Sequence, residues 1–151
     1  MEKLDISSVK EEERDVVAEM LSNSEPWITL GATLEQCLRT CHDSEYLIFV
    51  ARIGNLPVGS IVAHHRGVAS SPYLRSVFVA KEYRSLGIGA KLMDYVENYF
   101  RKESRHIFLC VSSFNINAQA FYKQLGYIQT GEFKDFIIDG ASELLMYKQL
   151  K

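Results

Sequence analysis

Arg84, Gly87 and Gly89 stand in the stretch Arg84-Ser85-Leu86-Gly87-Ile88-Gly89, between a strand-like run and a helical stripe. The run is Val77-Phe78-Val79. Beyond Gly89, apolar residues recur at Leu92, Met93, Val96, Tyr99 and Phe100, the spacing of one buried helix face. The arginine and the glycines therefore fall where a strand hands over to a helix N-terminus. There the first backbone N–H groups lack intrahelical partners and the helix dipole is positive. Glycine lets the backbone approach an anion without a Cβ in the way, and a guanidinium adds a planar positive fork. With Ser85, Leu86, Ile88 and Ala90 between and after them, these residues make a loop suited to a phosphate. A glycine start serving only flexibility or close packing is the competing reading. Neither common nucleotide loop is present: no Gly-x-Gly-x-x-Gly follows a first strand, and no Lys-Ser or Lys-Thr closes the turn.

A second block runs Asn115-Ile116-Asn117-Ala118-Gln119-Ala120-Phe121-Tyr122-Lys123-Gln124-Leu125-Gly126-Tyr127. Asn115 is a suitable N-cap for a helix ending near Leu125, and Gly126 a left-handed stop. Ala118, Phe121, Tyr122 and Leu125 would share one face of that helix. In this order and register the two blocks resemble the signatures of the GNAT acetyltransferase superfamily. One is Arg/Gln-x-x-Gly-x-Gly/Ala; the other is Asn, Ala three residues on, an apolar-Tyr pair, then Gly-aromatic. The pattern extends over roughly residues 2 to 150, but only these two blocks are specific.

That resemblance implies acetyl-coenzyme A as co-substrate and an amine as acceptor. The loop from Arg84 through Ala90 would hold the pyrophosphate. Backbone groups of Val77 and Val79 would pair with the pantetheine amides, and the amide of Phe78 or Val79 would polarise the thioester carbonyl. Asn115 and Tyr122 belong to the coenzyme side of the second block. The tyrosine at the Tyr122 position would protonate the departing thiolate, a step typically worth about 10²- to 10⁴-fold. A core aromatic on the helix face is the other reading of Tyr122.

The general base is not legible. Many relatives carry a glutamate on or just before the fourth strand, yet Ser70 to Phe78 contains no carboxylate. Glu25, His64 and His65 are the candidates that remain, and two adjacent strand histidines point to opposite faces. Structural roles compete for both histidines. Glu25 and Trp27, in the turn Ser24-Glu25-Pro26-Trp27, are candidates for the acceptor pocket; an aromatic plug between helices is the alternative for Trp27. Arg75 reads as an acceptor-carboxylate contact or, more simply, as surface charge. Cys37 and Cys41 lie four apart beside His42 without a third and fourth ligand at matching spacing, so no metal is expected. Cys110 reads as a small buried hydrophobe.

The elements that must position these residues follow from periodicity and breakers. Strands are expected at 3–6, 46–53, 58–64, 73–79, 106–111, 127–136 and 143–150, and helices at 8–21, 33–42, 87–101 and from Asn115. The order β-α-α-β-β-β-α-β-α-β-β is an α/β fold, one mixed sheet with helices on both faces. The resemblance adds that the fourth and fifth strands splay apart. At 151 residues a single N-acetyltransferase domain over 1–151 is expected, with a homodimer among its potential forms. A formal charge of −2, without a basic run, argues against nucleic acid as partner. No 18-residue apolar run or signal-peptide core is present, and three cysteines lack disulfide-like spacing. The cytoplasm is thus the expected compartment, with no membrane partner. Two other functions stay open: a non-catalytic acyl-CoA sensor, and a nucleotide-binding module built on the same loop.

Overall fold

Alternating β-branched and aromatic residues form seven strands and amphipathic stretches form four helices in the computed structural model, which describes residues 2–151. The strands are β1 (Leu4–Ser8), β2 (Tyr46–Ile53), β3 (Leu56–Val68), β4 (Ser71–Val79), β5 (His106–Ser112), β6 (Ile128–Phe133) and β7 (Glu143–Gln149). The helices are α1 (Arg14–Ser22), α2 (Leu34–His42), α3 (Ile88–Arg101) and α4 (Ile116–Gln124). One mixed sheet results, ordered β1-β2-β3-β4-β5-β7-β6, with β4 and β5 its one parallel pair. The element order is the expected one. Among the described residues no helix is long and apolar enough to cross a membrane.

Several boundaries differ from expectation, and three of the differences have a clear local reason. The helix expected from Ser8 begins later. Glu11–Glu13 form a 3₁₀ turn, because the Glu13 carboxylate turns back to accept from the Lys10 amide at 2.8 Å. The loop expected between the third and fourth strands is a tight hairpin. Ala69 and Ser70 take φ of 48° and 60°, and Val68 pairs with Ser71, so β3 continues through Gly67. β6 stops at Phe133 instead of reaching Phe136. Asp135 adopts φ of 51°, and its carboxylate accepts from the Gly140 amide at 2.7 Å.

Two cores flank the sheet. On one face α3 and α4 bury Leu92, Met93, Val96, Phe100 and Tyr122 against Phe49, Ile61, Leu74, Leu109, Val111 and Met146. On the other, α1 and α2 bury Val17, Leu21, Cys37 and Cys41 against Ile48, Val50, Val62 and Phe78. On that second face the residues of β5 and β7, Phe108, Cys110 and Tyr147, are only half-buried.

One buried ion pair ties the second core, at the start of α1, to the edge of the sheet. Arg52, 2% exposed, donates from Nε to Glu13 Oε2 at 2.5 Å and from a terminal nitrogen to Glu13 Oε1 at 2.6 Å. Its remaining donors reach Ser7 Oγ at 2.8 Å, the Ser8 carbonyl at 3.0 Å and Asp5 at 3.2 Å. The hydrogen bonds from Arg52 hold the Glu13 carboxyl below the usual carboxylate range. Removing one partner leaves a buried charge uncompensated, so Glu13→Ala is expected to cost about 3–5 kcal/mol in urea unfolding. A depressed carboxyl contributes stability at pH values above the unfolded glutamate's range and loses it as pH falls through its folded value. The difference between wild type and Glu13→Ala should therefore shrink on acidification; a difference that stays constant with pH contradicts the pairing.

Candidate active site

β4 and β5 meet over two rungs only, Tyr73 with Phe108 and Leu74 with Leu109. Beyond them the strands part. A bulge in the β3–β4 ladder leaves Arg75 without a partner, so side-chain parity changes along β4. Leu74, Val77 and Val79 face α3, while Phe78 faces α1 and α2. The register and the bond from the Ala80 amide to the Val58 carbonyl (2.8 Å) turn Phe78 and Ala80 toward β3. The N–H and C=O groups of Val77 and Val79 consequently point into the gap. The Val79 carbonyl is already met there by Arg84 Nε at 2.9 Å. Of the two amides expected to reach a thioester carbonyl, that of Phe78 is committed to β3, and Val79 is the one left.

The strand leads through a 3₁₀ turn, Lys81–Tyr83, into α3. Ser85 and Gly87 adopt φ of 66° and 82°, folding the loop so that its amides converge. Gly87 is the N-cap residue and offers no capping side chain. The first helical bond runs from Lys91 to the Gly87 carbonyl, so the amides of Ile88, Gly89 and Ala90 lack helical partners. Open space lies where a Gly87 Cβ would stand, whereas one at Gly89 would meet the Phe121 ring at 3.3 Å. The two glycines thus act differently: Gly87 takes a left-handed backbone conformation beside open space, and Gly89 allows close helix packing.

α4 closes the gap from the α3 side. Asn115 caps it, its Oδ1 accepting from the Ala118 amide at 3.4 Å, and Gly126 ends it at φ of 97°. Gln119 donates to the Ser112 and Ser113 carbonyls at 3.2 and 3.0 Å, anchoring the helix to the end of β5. Tyr122 is buried, and burial alone raises its phenol far above the usual range, so the hydroxyl keeps its proton at neutral pH. Its neighbour Tyr127 is occupied differently, donating to Glu97 at 2.9 Å while Lys148 holds the other Glu97 oxygen at 2.7 Å.

On the opposite face, Trp27 packs edge-on against Phe78 with ring centroids 6.1 Å apart, so it lines the α1–α2 side of β4. Glu25 is exposed and spends both oxygens on Thr29, on its amide at 2.8 Å and its hydroxyl at 2.7 Å; these bonds lower its pKa. It is a turn cap. His64 and His65 point to opposite faces, as alternation requires. His64 stacks edge-on against Tyr46, and His65 pairs with Glu103 at 3.0 Å beside Phe100. Arg75 lies over the Tyr46 ring and donates to its hydroxyl at 3.2 Å.

The face also holds a group the sequence did not reveal. Glu143, at the start of β7, is directly opposite Ser112 and accepts from its hydroxyl at 2.6 Å, both side chains buried. Tyr73 and Cys110 are its titratable neighbours. The only hint in sequence was one acid heading an apolar run, Glu143-Leu144-Leu145-Met146, and nothing local says that this run pairs with β5. A shallow cavity of about 460 Å³ along α3, lined by Lys91, Asp94, Tyr95 and Asn98, lies away from these groups.

A family model for the acetyltransferase (GNAT) family matches residues 11–127. The chain belongs to the GNAT acetyltransferase family. A curated N-acetyltransferase of Methanocaldococcus jannaschii, itself uncharacterized, is 32% identical over 103 residues, 67% of this chain. The matches span 60% and 65% of the lengths of the curated relatives. Among solved structures, the ribosomal-protein-S18-alanine N-acetyltransferase of Escherichia coli superposes with a TM-score of 0.81 at 16% identity, over 99% of this chain and 95% of that one. An aminoglycoside 6'-N-acetyltransferase complexed with coenzyme A gives 0.79 at 17% identity, over 97% of each chain.

In this GNAT chain the cysteines are quiet. Burial raises the thiols of Cys37 and Cys110 and pushes Cys41 up to about 11. Iodoacetamide at pH 8 should therefore label native protein at least about tenfold more slowly than urea-unfolded protein. Equal rates at Cys37 and Cys41 would contradict their burial.

Proposed function

We propose that this chain is an acetyl-CoA-dependent N-acetyltransferase in which a primary amine attacks the thioester directly, both substrates being bound together. The observation that carries the reading is the two-rung β4–β5 ladder, whose open end lies beside an uncapped helix N-terminus. Bound coenzyme would supply the activated acetyl group as its thioester. Val77, through its N–H and C=O, and Val79, through its N–H, would bind an extended amide-bearing arm as a neighbouring strand does. The amides from Ser85 to Ala90, with Arg84, would hold the pyrophosphate. The Val79 N–H would also steady negative charge on the carbonyl oxygen. Tyr122 would donate its proton to the thiolate as the C–S bond breaks. Asn115 acts indirectly, by capping the helix that carries Tyr122.

The acceptor is a small-molecule amine or a protein N-terminus. Structural neighbours named for a ribosomal-protein alanine and for an aminoglycoside superpose about equally well, so the fold does not choose between them. Trp27, against Phe78, would form one wall of the acceptor site. A non-catalytic acyl-CoA sensor is the second reading, favoured by the lack of any carboxylate from Ser70 to Phe78. An acetyl-transfer screen over primary amines separates the two: thiol release above the amine-free rate supports the enzyme, and its absence with every amine supports the sensor.

Gly87→Val would crowd the cradle with a branched side chain and strain a backbone at φ of 82°. Arg84→Ala should weaken coenzyme binding by roughly 1–3 kcal/mol through lost charge-assisted contacts. Unchanged CoA affinity in both variants by calorimetry rules out this phosphate site. Tyr122→Phe should keep coenzyme affinity and thermal stability near wild type while turnover falls about 10-fold or more. Wild-type turnover in that variant, with chemistry rate-limiting, removes the acid role.

A further inference from the structure

We propose that Glu143 is the general base of this site, taking the proton from the acceptor's ammonium group on the α1–α2 face of the wedge, held in place by Ser112. The proposal rests on the transferase reading above.

Leu109 and Val111 lie in the α3–α4 core, so Cys110 and Ser112 alternate to the opposite face, and Glu143 shares that face through its register with Ser112. These residues sit on the stretch of β5 that β4 has left, level with the gap into which Val77 and Val79 turn their backbone groups. Tyr122 lies buried on the other face, in the α3–α4 core. A proton acceptor and a proton donor are thus separated by the sheet, on the two sides of the path a thioester carbonyl would occupy.

Glu143 is the carboxylate on this face beside the gap; His64, the register partner of Tyr73 on β3, lies one strand further out and packs edge-on against Tyr46. From β4 Glu143 faces Tyr73, from β5 Cys110 and Ser112, from β6 its register partner Phe133, and along β7 Leu145. Burial raises both the Tyr73 phenol and the Cys110 thiol, so both stay protonated and uncharged. The positive charge of Arg75 acts on Tyr73. Glu132 pairs with Leu144, on the other face, and its carboxylate accepts from Ser142 Oγ at 2.7 Å. Burial lifts the Glu143 carboxyl above the usual carboxylate range, and the Ser112 hydrogen bond offsets part of that rise. A buried carboxylate of raised basicity is what proton abstraction from an ammonium needs.

The step balances. The Glu143 carboxylate takes one proton from R–NH₃⁺ and later returns it to solvent. The freed amine forms the C–N bond as the C–S bond breaks. Tyr122 gives its proton to the departing thiolate, and the proton shed by the new amide nitrogen restores the phenol.

The test compares wild type, Glu143→Gln and Ser112→Ala, using the best primary alkylamine from the acceptor screen and hydroxylamine. Hydroxylamine is already neutral at pH 7 and needs no base. Glu143→Gln should lower kcat/KM for the alkylamine about 100-fold or more near neutral pH, move the acid limb of its pH profile up to the alkylammonium's own titration, and leave hydroxylamine turnover within about threefold of wild type. Acetyl-CoA affinity should stay unchanged by calorimetry. Two readouts need no turnover. The Glu143 carboxyl, followed by carbon NMR in the free protein, should titrate above an ordinary glutamate, and higher still in Ser112→Ala, which loses the bond favouring the charged form. Relieved of a buried charge, Glu143→Gln should melt no lower than wild type at pH 7.

Equal loss toward both nucleophiles, or no loss toward either, overturns the proposal, as does an ordinary glutamate titration. If Glu143→Gln does not fold, the Ser112→Ala profile decides: an acid limb that moves up in step with the NMR midpoint supports the assignment, and an unmoved limb overturns it. A wild type that binds acetyl-CoA but releases thiol with no amine defeats the transferase reading itself, and the base with it.

Discussion

A parallel pair of strands that hydrogen-bonds over two rungs and then separates leaves backbone groups facing a gap, and the function proposed for this chain is built around that gap. Buried N–H and C=O groups demand partners. Here the register fixes which ones are left over: Phe78 and Ala80 turn to β3, while Val77 and Val79 turn away from it. The bulge at Arg75 allows the separation, because it bends β4 and switches its side-chain parity without breaking the ladder to β3. An extended ligand rich in amides satisfies such an edge as a further strand would.

The loop after β4 continues the same logic. A helix without an N-terminal side-chain cap has amides to spare, and in α3 those of Ile88, Gly89 and Ala90 follow the strand's open end directly. Arg84 links the two features by bonding the Val79 carbonyl, which sets a guanidinium at the mouth of the gap. The rest of the molecule supplies rigidity. Arg52 and Glu13 clamp the edge strands to the start of α1, and the Tyr127–Glu97–Lys148 set locks α3 to the end of the sheet. Ordered backbone around a gap is what lets few side chains carry chemistry.

Much of this was legible because the informative features are local. Arg84, Gly87 and Gly89, and the Asn115-to-Tyr127 block, are contiguous in sequence, and their helix starts and stops obey capping rules that short windows display. The Asn115 cap and the Gly126 stop are where those rules place them. Long-range pairing was not legible. Glu143 meets Ser112 across 31 residues of chain, and no local pattern announces that β7 inserts beside β5. Sequence therefore offers only Glu25, His64 and His65 as bases, and Glu25 is committed to Thr29. Boundaries missed for a smaller reason: left-handed Ala69 and Ser70 make a tight turn without the usual asparagine or glycine.

Residue-resolved amide exchange with and without acetyl-CoA tests the central claim most directly, because it reads the backbone itself. The Val77 and Val79 amides and those of Ile88, Gly89 and Ala90 should exchange fast in the free protein and slow sharply on binding. Phe78 and Ala80, bonded to β3 throughout, should change little. Protection confined to other segments, such as the cavity along α3 at Lys91 and Asn98, with Val77 and Val79 unaltered, would contradict a coenzyme site in the β4–β5 gap.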